Sequence, residues 1–282
     1  MPVDAPTSLA DALGLLDRHP GATVLAGGTD LMVSVNAGRR QLGHVIAVDR
    51  VAELRDWHYD VGAGVVRLGA GVPYHQILHS PLADLLPALA EAARTVGSPQ
   101  IRHVGTVGGN LATCSPAGDT LPVLSALDAI IHVQSANLVR KISIHDFMVG
   151  VKTTKLKPNE LITAIVIPVH PGWQGYAKVG VRNAMVIATA SVCLVADAHS
   201  RSVRLALGSV GPTILRCPIA EEWITERVDW DAGMSVGDAM AREFGAIAAG
   251  EARPIDDHRS TAAYRRHAIG VLAARLIRRA FP

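Results

Sequence analysis

Apolar positions divide the first part of the chain into short elements. Residues 9–16 repeat apolar side chains at helical spacing behind Ser8, which predicts a capped helix that ends before Pro20. A second short helix is predicted over 31–37, ending at Gly38, and a third from Tyr74 onward. Short apolar runs predict buried strands at 22–26, 45–48 and 65–70.

The middle of the chain alternates helical stretches with loops of small residues. Residues 82–96 are rich in Ala and Leu and predict one long helix that Gly97-Ser98-Pro99 stops. Two loops follow, 105–110 and 114–119, and the second leads into a helix with Pro122 in its first turn. Further strands are predicted at 129–133 and 161–168.

The pattern changes after His170-Pro171-Gly172, which is the best linker candidate. Beyond it, strands are predicted at 186–196 and 203–210, and the chain is helical from Val236, ending in a basic amphipathic helix over 264–280. Strands mixed with helices on both sides of the linker predict two α+β domains, residues 1–171 and 172–282.

Composition and charge exclude several classes of protein. Of the 282 residues 49% are hydrophobic and only 4% aromatic, so aliphatic side chains supply the core and a disordered chain is excluded. Lys and Arg number 27 and Asp and Glu 25, which gives no support to nucleic-acid binding or a polybasic anchor. The apolar stretch 184–196 is too short for a membrane span. We expect a soluble, cytoplasmic protein.

Cysteine and histidine residues do not predict a metal centre. Cys114, Cys193 and Cys217 are far apart and form no CxxC pair, so we expect three reduced thiols and no iron–sulfur or zinc site built from this chain alone. Of the 12 histidines, His75 and His79 share a helical spacing, without the glutamate of an H-E-x-x-H motif. We predict no metal ligand, and no acid–base catalytic residue.

Two segments with paired glycines carry the candidate chemistry. The first is 26–30 (AGGTD) and the second 106–110 (TVGGN). Because glycine has no Cβ, such segments can turn main-chain N–H groups toward one anion, and a helix beginning at Thr29 or Asp30 would add its positive end. Neither matches a Rossmann or P-loop fingerprint, and either alone is typical of a tight turn. Two such segments can bind one dinucleotide from both sides, and only the resemblance described next favours that interpretation over two tight turns.

In this order and spacing, the segments resemble the FAD subunit of molybdenum hydroxylases, the relatives of xanthine dehydrogenase and aerobic carbon monoxide dehydrogenase. VLAGGTDL (24–31) is similar to the first FAD-binding loop of that family and TVGGN (106–110) to the second, with Asp119 nine residues after Asn110. ELITAIVIP (160–168) resembles the strand that closes the flavin domain, and PIDDHRSTAAYRR (254–266) the helix start of the C-terminal domain.

The resemblance implies a two-part FAD-binding domain of the vanillyl-alcohol-oxidase (PCMH) type, followed by a smaller α+β C-terminal domain of the CO dehydrogenase flavoprotein type. It implies that Asp119 accepts hydrogen bonds from ribityl or ribose hydroxyls, that Ile162 lies against the flavin ring, and that Lys178 lies near its polar edge. The first loop of the family binds the FAD diphosphate through its main chain. The cofactor-binding residues that the resemblance implies in the two loops are Leu25, Ala26, Gly27, Gly28, Thr29, Asp30, Leu31, Thr106, Gly109 and Asn110.

The function implied is electron transfer within a complex. A large partner subunit would hold the molybdenum cofactor, a small partner would hold two [2Fe–2S] clusters, and FAD on this chain would pass electrons to an external acceptor, in a dimer of heterotrimers. Two alternatives stay open at this point. One is a stand-alone FAD-dependent oxidoreductase of the same flavin fold, and the other is a non-catalytic nucleotide-binding scaffold.

Overall fold

The first domain contains three of the four sheets found in the described residues. The computed structural model describes residues 2–230 and 235–282. The elements of this domain are β1 (Val3–Asp4), α1 (Leu9–Arg18), β2 (Thr23–Leu25), α2 (Leu31–Asn36), β3 (Val45–Ala47), a 3-10 turn (Ala52–Leu54), β4 (Trp57–Asp60), β5 (Val65–Gly69), α3 (Tyr74–Ile77), α4 (Leu82–Leu85), α5 (Pro87–Thr95), α6 (Pro99–Val104), α7 (Val107–Thr113), α8 (Leu121–Ala126), β6 (Ile130–Gln134), β7 (Val139–Ser143), α9 (Ile144–Phe147), β8 (Met148–Gly150), β9 (Thr153–Thr154) and β10 (Leu161–Pro168).

These sheets have different pairing. The small sheet has the order β1-β3-β2 and is parallel, and α1 covers it with its buried residues Ala12, Leu13 and Leu16. The five-stranded sheet has the order β4-β5-β10-β6-β7 and is antiparallel, with β10 at its centre. A short β8-β9 hairpin forms the third. The first domain therefore has two lobes, one around the small parallel sheet and one around the five-stranded sheet.

The second domain is one antiparallel sheet backed by helices. Its order is β11-β12-β13-β14, and its elements are β11 (Trp173–Val179), β12 (Ala190–Asp197), β13 (Ser202–Gly208), β14 (Leu215–Arg216), α10 (Pro218–Thr225), α11 (Asp238–Glu251) and α12 (Ala262–Ala280). Every residue of β12 is buried. Cys193 and Val195 pack into the core of the first domain, while Val192 and Leu194 pack against the helices. The sheet therefore joins two cores.

Close packing of α11 on α12 depends on glycine. A Cβ atom at Gly245 would lie 2.2 Å from the carbonyl oxygen of Gly270. The two helix backbones therefore approach more closely than any side chain would allow.

Most predicted elements are present, and three predictions were wrong in detail. The predicted helix over 82–96 is broken into α4 and α5, because Pro87 has no N–H to donate and forces Leu86 out of helical conformation. The segment 106–110 is not a loop but the start of α7. The strand predicted from 186 begins only at Ala190. The strand β11 was not predicted, because Gly175 and Lys178 interrupt its apolar pattern.

Candidate functional site

A cleft of ≈ 970 Å³ lies where the small sheet, the five-stranded sheet and the second domain meet. Twelve of the thirteen predicted cofactor residues line it: Leu25, Ala26, Gly27, Gly28, Thr29, Asp30, Leu31, Thr106, Gly109, Asn110, Asp119 and Ile162. The thirteenth, Lys178, is not among the lining residues. The volume is at the upper end of the range for small-molecule and cofactor sites.

The first glycine segment, 26–30, links the end of β2 to the start of α2. Gly28 has φ +67°, which glycine adopts without strain. Gly27 serves packing instead, because a Cβ atom there would lie 1.8 Å from the carbonyl oxygen of Val104 at the end of α6. In the described part of the chain, the main-chain N–H groups of residues 27–30 have no hydrogen-bond acceptor. They are available to an anion in the cleft.

The second glycine segment, 106–110, forms the first turn of α7. The Thr106 hydroxyl oxygen accepts a hydrogen bond from the Gly109 N–H at 3.0 Å and so caps the helix. Gly108 packs closely within the lobe of the five-stranded sheet, since a Cβ atom there would lie 2.5 Å from the carbonyl oxygen of Ala70. Among the described residues, and apart from the backbone of its own helix, a Cβ atom at Gly109 would meet only the Thr106 hydroxyl, at 3.1 Å. Gly109 is therefore the glycine whose missing side chain leaves room in the cleft.

Asp119 links the cleft to the second domain. Its carboxylate accepts hydrogen bonds from the Lys178 ammonium at 2.8 Å and from the Tyr176 hydroxyl at 3.0 Å, both from β11. Burial raises the pKa of the Asp119 carboxyl above its ordinary value, and these two donors act to lower it. Each carboxylate oxygen has a second lone pair, so Asp119 can accept a further hydrogen bond from a ligand.

Lys178 lies behind the wall of the cleft. Its ammonium also donates to the carbonyl oxygens of Thr95 at 3.0 Å and Val186 at 3.2 Å. These three bonds account for all the protons of the ammonium. Lys178 therefore holds Asp119 and the segment that carries Val186, which itself lines the cleft.

The start of β10 forms the apolar wall. Ile162 is 4% exposed and lines the cleft beside a bulge in the pairing of β10 with β6. Two residues earlier, Glu160 forms a two-pronged ion pair with Arg140, with distances of 2.8 and 2.6 Å. Burial acts to raise the pKa of Glu160, but hydrogen bonds from Arg140 and the Lys157 N–H outweigh it and leave the pKa lowered. This pair fixes the entry to the strand.

Several residues that line the cleft were not predicted from the sequence. Lys152 and Lys157 line the cleft from the β8–β9 region, and Arg40 lines it from beyond α2. The Lys152 ammonium lies 3.8 Å from the Asp30 carboxylate across the cleft. Tyr74, which is buried, also lines it, and burial raises the pKa of its phenol. No motif marks these residues, because their position depends on contacts between distant parts of the chain.

The residues present fit a dinucleotide with a diphosphate. Within residues 2–230 and 235–282, the main-chain N–H groups of residues 27–30 in the first segment have no acceptor, and the open position at Gly109 lies in the second segment. Lysine and arginine side chains add positive charge, while Leu25, Ile162 and other aliphatic residues supply apolar contact for a ring system. This donor set suits an anionic, partly aromatic ligand such as FAD.

Fold and cleft together define a two-domain flavin-nucleotide-binding protein. Residues 3–170 match the family described as "FAD binding domain in molybdopterin dehydrogenase", and residues 176–280 match "CO dehydrogenase flavoprotein C-terminal domain". The chain belongs to this family, the FAD-binding medium subunits of molybdenum hydroxylases. The predicted family and the PCMH-type fold with its C-terminal domain are confirmed, as is the assignment to oxidoreductase subunits.

Relatives and solved structures extend over most of the chain. The xanthine dehydrogenase FAD-binding subunit of Escherichia coli O157:H7 is 32% identical over 222 residues, covering 76% of each chain. The glyceraldehyde dehydrogenase medium chain of Sulfolobus acidocaldarius is 30% identical over 269 residues, covering 94% of this chain and 92% of that one. A structure of CO dehydrogenase from Oligotropha carboxidovorans superposes with a TM-score of 0.88 at 27% identity, covering 99% and 97%.

Two further findings bear on the expectations for cysteines and membranes. Cys114, Cys193 and Cys217 are all buried free thiols. Among the helices of residues 2–230 and 235–282, none combines the length and apolarity that a membrane crossing requires.

Proposed function

We propose that the cleft binds FAD with its diphosphate between the two glycine segments. The observation that carries this proposal is the convergence of 26–30 and 106–110 on one cleft, with free N–H groups on one side and an open glycine on the other. The N–H groups of residues 27–30 would donate to phosphate oxygens. Lys152 would add an attractive charge from the opposite wall.

We assign the remaining contacts by the position of each side chain. Asp119 would accept a hydrogen bond from a ribityl or ribose hydroxyl, held in place by Lys178 and Tyr176. Ile162 would pack against the flavin ring and exclude water from it. Lys178 would act as a positioning residue, because its three protons are already bound to Asp119, Thr95 and Val186.

The complex we propose has three kinds of subunit. When bound, FAD supplies redox chemistry that accepts electrons from the [2Fe–2S] clusters of a small partner and delivers them to an external acceptor. The molybdenum cofactor would belong to a large partner, and two such heterotrimers would form a dimer. Support comes from the relatives, which include medium chains of carbon monoxide and glyceraldehyde dehydrogenases. We assign no acid–base catalytic residue to this chain.

Two further assignments are part of the proposal. We place the domain boundary between residues 171 and 172, in the turn that follows β10 and precedes β11. We place the protein in the cytoplasm, a reducing compartment that suits three free thiols.

Purification from co-expression with candidate partner chains tests the proposal. We expect a yellow protein with one FAD per chain that copurifies with an iron–sulfur chain and a large chain. The flavin absorbance should bleach on addition of substrate only when both partners are present. Turnover by this chain alone would favour a stand-alone oxidoreductase instead. A colourless chain that takes up no added FAD would favour a scaffold and overturn the proposal.

A further inference from the structure

We propose that Asp4, His19 and His44 form a binding site for a divalent cation such as Zn²⁺. Among the described residues they are the one group of three whose possible ligand atoms all lie within 4.8 Å of one another. They are distant in sequence, so no motif marks them. The site lies in the small parallel sheet and is independent of the proposed FAD function.

The side chains already touch. The His44 Nε2 atom lies 2.6 Å from the Asp4 Oδ2 atom, and the His19 ring stacks on the His44 ring with centroids 4.0 Å apart. All three residues are partly buried, with the side chains of His44 and Asp4 20% and 41% exposed. A cation can therefore reach the group from solvent, and a water molecule can complete its coordination.

The backbone holds each ligand in place. Asp4 pairs with Ile46 in the β1–β3 register, which brings it beside His44, the residue that precedes β3. The His44 carbonyl oxygen accepts a hydrogen bond from the Thr23 N–H at 2.8 Å, and the His19 carbonyl oxygen accepts one from the Ala22 N–H at 3.0 Å. Ligand binding therefore needs rotation of side chains rather than movement of the chain.

Two imidazoles and a carboxylate are a suitable ligand set for zinc. Zn²⁺ binds His nitrogen and Asp oxygen at roughly 2.0–2.2 Å, and a set of three protein ligands leaves the fourth tetrahedral position to a water molecule. The cation would replace the bond between His44 and Asp4 with one coordinate bond to each. Such a site would join β1 to the end of α1 and to β3. It lies near the amino ends of β2 and β3, whereas the first glycine segment follows the carboxyl end of β2. A cation bound here would therefore cross-link these elements at the end of the small sheet away from the first glycine segment.

Zinc titration of the full-length, chelator-treated protein tests this site. We expect one Zn²⁺ per chain by isothermal titration calorimetry and a higher thermal midpoint with zinc, because a ligand that binds the folded state stabilises it. His19→Ala, His44→Ala and Asp4→Asn should each weaken binding by at least about tenfold and reduce the rise in midpoint.

His75→Ala is the matched control, since His75 also stacks on another histidine, His103, at a centroid distance of 3.9 Å. It should bind zinc as the wild type does. Wild-type zinc affinity in the His19 or His44 variant, or loss of binding in the control, would overturn the site. X-ray absorption at the zinc edge of the wild type gives a result independent of variant folding. Two imidazoles with oxygen ligands support the site, and any other ligand set refutes it.

Discussion

Among the glycines of the two segments, Gly109 is the one where substitution by valine should block the cleft with the least effect on folding. Added Cβ atoms at Gly27 and Gly108 would lie 1.8 and 2.5 Å from backbone atoms, so side chains there would disrupt the packing of the first domain. Gly28 has a positive φ, which valine adopts only with strain. At Gly109 the nearest atom is the Thr106 hydroxyl oxygen, 3.1 Å from the added Cβ, so the valine methyl groups would occupy the cleft.

The expected loss of FAD affinity follows from the hydrogen bonds that the valine would prevent. A hydrogen bond to a charged group contributes about 1.5–3 kcal/mol. Loss of two such bonds to the diphosphate gives about 3–6 kcal/mol, which weakens the Kd for FAD roughly 10²–10⁴-fold. The fold should change little, because valine and glycine differ by less than about 1 kcal/mol in helix propensity.

Fluorescence titration of the apoprotein with FAD measures this effect, and circular dichroism with thermal unfolding measures the fold. Gly250→Val is the matched control, since Gly250 is an exposed glycine of α11 with no atom within 4 Å of its added Cβ. It should keep wild-type FAD affinity. Gly109→Ala should give an intermediate Kd. Wild-type affinity in a folded Gly109→Val protein would refute the placement of the diphosphate beside α7.

Three other substitutions test the surroundings of the cleft and the second domain. Asp119→Asn leaves the buried Lys178 ammonium without its countercharge, so the free energy of unfolding measured in urea should fall by about 3–5 kcal/mol. An unchanged unfolding midpoint would contradict the ion pair. Because the pKa of Glu160 is lowered, its ionised carboxylate stabilises the folded protein fully above pH 4.5, and this stabilisation is lost as the pH falls below that value. The difference in thermal midpoint between the wild type and Glu160→Gln should therefore decrease on acidification. A constant difference would be inconsistent with the lowered pKa. Gly245→Ala should destabilise the protein by about 1–3 kcal/mol through the clash between α11 and α12. Its control Gly250→Ala should be neutral or stabilising by up to about 1 kcal/mol. Equal effects of the two substitutions on the free energy of unfolding would argue against the close helix contact.

The sequence predicted several helices and strands that depend on interactions between residues close together in the chain. The α1 helix follows from its apolar spacing and from Ser8, whose hydroxyl oxygen accepts a hydrogen bond from the Asp11 N–H at 3.1 Å. The β12 strand is buried on both faces, so its continuous apolar run was a clear signal. The break at Pro87 and the cap at Thr106 were also local, but the runs of small and apolar residues around them obscured both.

The candidate site was predicted where it consists of main chain and missed where it depends on tertiary contacts. Paired glycines can be recognised in the sequence itself, and residues of both segments line the cleft. The partners of Asp119 are 57 and 59 residues away, in a strand that the pattern did not reveal. Lys152 and Arg40 likewise reach the cleft from elements with no distinguishing motif.

The two roles of Asp119 have a thermodynamic consequence. One carboxylate both borders the cleft and receives the Tyr176 and Lys178 donors of the second domain. A ligand that strengthens or weakens those two hydrogen bonds must change the free energy of the contact between the domains. A partner whose binding changes the same bonds through β11 must change the ligand affinity by the same factor by which the ligand changes the affinity for that partner. Any ligand that contacts Asp119 would therefore couple the occupancy of the cleft to the contact between the two domains.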